Sequence, residues 1–224
     1  MITRLPRWVE VGAFLLAMLA GSVNAVGLLG FQHQSVSHLS GTATLLGADL
    51  VKLDPEIWHL AGVLFSFLLG AVVSGVLLGN TALKLGRHYS FALVLEGALL
   101  LVAMLVLQQG SLSGHYLASA ACGLQNALVT TYSGALIRTT HLTGLFTDLG
   151  IMIGLRLRGQ PFDRRKALLY LLIIAGFILG GGMGALLFGV MAFTALLVPG
   201  VMAIALALGY ALYAKLRQRT GEPD

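Results

Sequence analysis

Residues Ser133–Gly150 read SGALIRTTHLTGLFTDLG, a polar, glycine-marked stretch set among apolar runs. An earlier stretch, Gly30–Gly47, echoes it as GFQHQSVSHLSGTATLLG. Placing His38 against His141 aligns Leu39 with Leu142, Ser40 with Thr143 and Gly41 with Gly144. The same register aligns Thr44 with Thr147, Leu46 with Leu149 and Gly47 with Gly150. Upstream, Asn24-Ala25 answers Asn126-Ala127 once one extra residue is allowed in the second copy. Downstream, Leu68–Gly79 (LLGAVVSGVLLG) matches Ile178–Gly189 (ILGGGMGALLFG), pairing Gly70 with Gly180 and Ser74 with Gly184. The chain therefore reads as two copies of one unit, about 9–108 and about 114–214, within a single domain over 1–224.

Composition places both copies in a membrane. The 224 residues are 57% hydrophobic and only 10% charged, whereas soluble domains carry about a quarter charged residues. The net charge of +5 does not imply a nucleic-acid partner, because the basic residues are split among short segments flanking the apolar runs. The N-terminal order of basic residues, apolar run and small residues has the look of a signal peptide. A retained first helix is the reading adopted, since the apolar stretch continues to about residue 31 and carries part of the repeat. One cysteine, Cys122, excludes an intramolecular disulfide. His33 and His38 have no third ligand at suitable spacing, so neither a metal nor a cofactor is expected.

A spanning helix needs about 20 apolar residues. Candidates lie at about 9–31, 57–80, 89–108, 114–137, 166–190 and 192–214, with two shorter segments at about 40–52 and 142–157. If all eight cross, Lys84, Arg87 and Arg138 fall outside. If the short segments re-enter instead, Lys52 is the only basic residue left outside. Basic residues near spans set orientation, which favours re-entry with both termini cytoplasmic. Three crossings per unit is odd, so the second unit must be inverted. The expected fold is all-α and polytopic: two inverted-topology repeats, each of three spanning helices plus a short broken or re-entrant half-helix, with a site where the repeats meet. The glycines at four-residue spacing, Gly75 and Gly79, and Gly176, Gly180 and Gly184, are read as helix-packing positions.

The polar residues at the breaks are the candidate site. Ser40 and Thr143, each before a glycine (Gly41, Gly144), are expected to cap the half-helices. Unpaired N–H groups at such starts carry partial positive charge and suit an anion or carboxylate. His38 and His141, at matching places, can bond a freed carbonyl, bind substrate or take a proton. Asn24 and Asn126 fit either interhelical hydrogen bonds or substrate contact. Thr44, Thr147 and Tyr132 extend the polar set. Asp148, whose counterpart is Leu45, and Glu96, embedded in an apolar run, are the coupling candidates, because acids inside a membrane are costly and face the protein interior.

Two stretches, SVNAVGLLGF followed by SHLSGTAT, and CGLQNALVTTYSGALIRTTHLTGLFTDLG, carry a resemblance over nearly the whole chain. They resemble the YoaK-type family of small bacterial integral membrane proteins, a domain-of-unknown-function family. The resemblance implies a bacterial inner-membrane protein and supplies no substrate, reaction or cofactor. The facing half-helices also look like the arrangement in sulfate- and nucleobase-type anion carriers.

The expected function is a small secondary transporter, not an enzyme, for a small anion or carboxylate held between the half-helix starts, with proton coupling through Asp148 or Glu96. Its partners are the lipid bilayer and the solute, and a homo-oligomer is compatible with the glycine faces. A passive channel and a non-transporting scaffold are the alternatives. An intramembrane serine hydrolase using Ser133 and His141 is disfavoured, since the first copy lacks the serine.

Overall fold

In lipid, every backbone N–H and C=O must find its partner within the segment, so long apolar runs become helices. The computed structural model describes residues 7–30, 36–79, 87–132 and 138–220, and these form helices joined by short turns. In chain order they are α1 (Arg7–Gly30), α2 (Leu39–Lys52), α3 (Ile57–Leu78), α4 (Arg87–Gln108), α5 (Ser113–Tyr132), α6 (Leu142–Leu157), α7 (Arg164–Met191) and α8 (Leu197–Thr220). A 3-10 turn, Ala192–Leu196, links the last two. Proline marks the junctions: Pro55 lies between α2 and α3, Pro161 between α6 and α7, and Pro199 in the first turn of α8, where a missing N–H costs no helical bond. The side chain of Asp163 caps α7, accepting from the N–H of Arg165 at 3.1 Å and of Lys166 at 3.0 Å.

Among the described residues, four stretches are long and apolar enough to cross a membrane: Val9–Gly30, Ile57–Leu78, His88–Gln108 and Arg164–Leu216. The last runs to 53 residues and contains α7 and most of α8. Their outer faces carry exposed Val76, Leu186 and Val190, as expected of surfaces that meet lipid. The chain is a multi-pass membrane protein. The expected span at 114–137 is different: its helix, α5, ends at Tyr132 and is too polar to join the four. The reason is its position. Helix α5 packs against α3 and α4 and touches α1, and it buries His115, Ser119 and Gln125 inside the bundle.

Two pairs of helices run side by side in the same direction. At the start of α1 and α7, Arg165 Nε donates to Glu10 Oε1 at 2.9 Å. Further along, a Cβ on Gly21 would overlap the Phe177 carbonyl, and one on Gly180 the Met18 carbonyl. Helices α3 and α5 cross the same way: a Cβ on Gly70 would overlap the Ala120 carbonyl, and one on Gly123 the Phe67 carbonyl. Gly176 and Gly184 likewise abut the carbonyls of Phe14 and Ser22, so that glycine row seats α1 as the spacing implied. Gly75 and Gly79 do not share this role, because a Cβ at either meets nothing within 4 Å.

The core divides at the level of these crossings. One cluster gathers Val9, Leu16, Tyr89, Leu128 and Tyr170 toward the end where α1 begins. The other gathers Val26, Leu100, Leu107, Ala118 and Leu196 toward the end where α1 stops. Helix α8 runs opposite to α1, so its Tyr210 lies against Gly12 and, edge to face, against Tyr89. The start of α1 and the later part of α8 therefore share one end of the bundle.

Helices α3 and α7 stop by the same backbone device. Gly79 adopts φ 53°, ψ −140°, and its N–H bonds the Gly75 carbonyl. Ala192 adopts φ 48°, ψ −133°, and bonds Phe188 in the same way. A Cβ is strained there by about 1–3 kcal/mol, so Ala192→Gly should stabilise even after the added freedom of the unfolded chain is subtracted. The expected gain is about 1 kcal/mol. The midpoint of thermal inactivation in detergent should rise by about 2–4 °C, and Gly79→Ala should lower it.

Candidate functional site

After α1 the chain turns back into the bundle. Ser37 donates to Asn24 Oδ1 twice, from its N–H at 3.3 Å and from its hydroxyl at 2.6 Å. The buried Ser119 hydroxyl lies 3.2 Å from the Val36 carbonyl and 2.9 Å from that of Val63, clamping the same segment between α3 and α5. After α5 the chain turns inward from the other end. Here Thr139 Oγ1 donates to Gln125 Oε1 at 3.1 Å, and Gln125 Nε2 donates to the Leu16 carbonyl at 3.2 Å. Helices α2 and α6 thus both start at depth and run outward, toward opposite ends.

Their first turns are built alike. The capping residues are His38 (φ −90°, ψ 66°) and His141 (φ −97°, ψ 58°), neither with a side-chain cap bond. This corrects the expectation that Ser40 and Thr143 cap. Those two are the second residues of their helices, and their carbonyls accept from Thr44 Oγ1 at 2.8 Å and Thr147 Oγ1 at 2.9 Å. Each histidine ring lies over the glycine three residues on, Gly41 or Gly144, where a Cβ would collide with it. The side chain at the third position must be absent for the ring to fold over the helix start. The first helical bonds are Thr42 N–H to the His38 carbonyl (3.1 Å) and Leu145 N–H to that of His141 (3.3 Å). The N–H groups of residues 39–41 and 142–144 precede them and have no partner within their own helix.

Both starts open onto one cavity of about 550 Å³, a volume typical of small-molecule sites. Ser37, His38 and Ser40 line it from the first break, and Arg138, Thr140, His141 and Thr143 from the second. Phe67 and Ala71 of α3 form one wall. Gly123, Asn126, Ala127, Thr130 and Thr131 of α5 form another, reaching the last turn of that helix. Arg138 is the charged side chain among the described lining residues, and no carboxylate is among them. The Asn126 Oδ1 atom is buried without a hydrogen-bond partner among the described residues.

The structure therefore brings His38, Ser40, Asn126, His141 and Thr143 to one place. Asn24 is not in the lining and holds Ser37. Gly41 and Gly144 sit beneath the histidine rings, and Thr44 and Thr147 back-bond to the helix. Asp148 is exposed on α6 and accepts from the Tyr170 hydroxyl at 3.1 Å. Glu96 is 1% exposed on α4, with Oε2 lacking a partner among the described residues, and it does not line the cavity. The side chain of Tyr132 and all of Ser133 lie outside the described residues.

Sequence reasoning missed Arg138, which it assigned to a cytoplasmic loop. Its place three residues before His141, inside the polar stretch, was the available signal. Phe67, Ala71 and Gly123 carried no signal at all, because they reach the cavity only through the crossing of α3 and α5.

Residues 12–209 match a family model described as a protein of unknown function (DUF1275). No curated protein and no solved structure matches the chain.

Proposed function

From the geometry of a chain that belongs to the DUF1275 family, the YoaK-type family its sequence resembles, we propose that this protein is a small secondary transporter for a small anion or carboxylate. The observation that carries the reading is the shared cavity. Two helix starts, each with first-turn N–H groups that have no partner within their helix, open into one cavity with Arg138 and no acid among its described lining. Oriented N–H groups and a guanidinium replace the waters an anion loses on leaving solution, which a neutral or cationic solute does not need. Thr130, Thr131 and Asn126 supply further polar contacts along the wall.

The inverted-repeat reading is supported by the packing. Gly21 on Phe177 and Gly180 on Met18 correspond, position for position, to Gly123 on Phe67 and Gly70 on Ala120. The exchange of partners is what a two-fold axis in the membrane plane would produce. Each unit contributes three long helices and one half-helix, and each half-helix re-enters from the end at which its unit's first helix stops. The cytoplasmic side is assigned to the end that holds the start of α1, because Arg156, Arg158, Arg165 and Lys166 flank α6 and α7 there. The membrane is taken to be the bacterial inner membrane. Glu96 is the stronger candidate for proton coupling, being buried with one oxygen lacking a described partner, whereas Asp148 is exposed.

The test is uptake into proteoliposomes loaded with the same unlabelled solute, over a panel of radiolabelled small carboxylates and inorganic anions. Saturable uptake with counterflow supports a carrier; uptake without counterflow identifies a passive channel. Gly144→Leu, which drives a side chain into the His141 ring, should abolish uptake while the protein still elutes as the parent does. Absence of flux for every anion from a folded parent would remove the proposal.

A further inference from the structure

The two units correspond in sequence and in crossing points, but one hydrogen-bonded pair is made in only one of them. Asn24 Oδ1 holds Ser37 through both its N–H and its hydroxyl. Their counterparts are Asn126 and Thr140. Both line the cavity, no bond joins them, and Asn126 Oδ1 is buried without a partner among the described residues. The asymmetry follows the cavity. Between the half-helix starts it extends along α3 and α5 to Thr130 and Thr131, toward the end where α5 stops. The corresponding route, along α7 and α1 toward the end where α1 stops, is where the Asn24–Ser37 pair sits.

We propose that the cavity has a second opening between α1 and α7, closed in this structure by the Asn24–Ser37 latch, and that Asn126–Thr140 is the matching latch that closes the present opening when the second one forms. The proposal rests on the inverted-repeat transporter reading above and names the bonds that decide access. The exchange balances. In one state Asn24 Oδ1 accepts two hydrogen bonds from Ser37 and Asn126 Oδ1 accepts none from Thr140. In the other, Asn126 Oδ1 accepts the N–H and hydroxyl of Thr140 and Asn24 is released. Gln125 and Thr139, bonded to each other one residue earlier, keep the second loop at depth while Asn126 and Thr140 stand apart. Because the two states differ by exchange of equivalent bonds, removing one latch should shift the population rather than unfold the protein.

The test is thiol accessibility in membranes, on a Cys122→Ser background, since Cys122 is the one cysteine of the sequence and is buried. Ala127→Cys reports access to the cavity, whose wall Ala127 lines, and Ala25→Cys reports the proposed counterpart route. With a hydrophilic thiol reagent, Ala127→Cys should react faster than Ala25→Cys in the parent. Asn24→Ala should speed labelling of Ala25→Cys about tenfold and slow that of Ala127→Cys, the response to about 1.4 kcal/mol of differential stability. Asn126→Ala should do the reverse. Ser37→Ala, which removes one donor and keeps the amide, should reproduce the Asn24→Ala shift in smaller measure and serves if Asn24→Ala does not fold. Rates that do not respond, or that rise together, would overturn the latch. Labelling needs no solute, so reciprocal shifts in a protein without flux would keep the latch and remove the transport reading. Flux with unshifted labelling would do the opposite.

Discussion

Gly180→Leu should yield no folded, monodisperse protein, whereas Gly182→Leu, two residues along the same helix, should behave as the parent. A Cβ at position 180 would overlap the Met18 carbonyl, while one at 182 meets nothing within 4 Å. The obstacle at 180 is backbone on a neighbouring helix, and no rotamer change relieves it. Helix α1 must then lift from α7 along the crossing that also involves Gly21, Gly176 and Gly184. Overpacking in a core costs about 1–3 kcal/mol when side chains can adjust; against backbone the cost should exceed the upper figure, a large share of a stability of about 5–15 kcal/mol. Fluorescence-detected size exclusion and the thermal midpoint in detergent check it. Equal profiles for the two variants would mean that the close approach of α1 and α7 is not needed for folding.

On the proposed transport reading, Arg138→Gln should lower the rate of anion uptake at sub-saturating solute by about ten- to a hundredfold, the equivalent of a charge-assisted hydrogen bond of about 1.5–3 kcal/mol. Arg138 is the cationic side chain in a described lining that holds no carboxylate. Arg138→Lys should retain part of the activity, since it keeps charge but loses the planar fork, and Arg138→Glu should abolish uptake of the anion. Because Arg138 is exposed in its loop, these changes should leave the elution profile and thermal midpoint of the protein unchanged. Uptake that is indifferent to Arg138→Gln would place the anion's charge at the helix starts alone.

Much of the architecture was legible because it rests on local chemistry. Apolar runs of about 20 residues can only be helices in lipid, and the prolines and Asp163 punctuate them where the chain turns. The doubled motif marked two helix starts: α2 and α6 begin at Leu39 and Leu142, one residue after the two histidines. The capping residues were misread for a physical reason. A serine or threonine before glycine looks like a cap in isolation, but here the glycine lies at the third helical position so that a histidine ring can fold over it. The exposure of Asp148 and the burial of Glu96 were likewise beyond the sequence, since both lie in apolar surroundings and differ only in which helices cover them.

Composition, period and the internal echo by themselves determined a helical membrane chain with two broken elements carrying the same HL(S/T)G signature. Nothing in the sequence determined that the two breaks meet, because that depends on α3 crossing α5 as α1 crosses α7, at glycines that let carbonyl and Cα come into contact. Those crossings bring Ser40 and Thr143, 103 positions apart by their numbers, to one cavity. They also decide that Asn126 faces it while Asn24 holds a loop. A sequence records which residues can pair; only the packed bundle decides that Asn24 bonds Ser37 while Asn126 Oδ1 has no partner among the described residues.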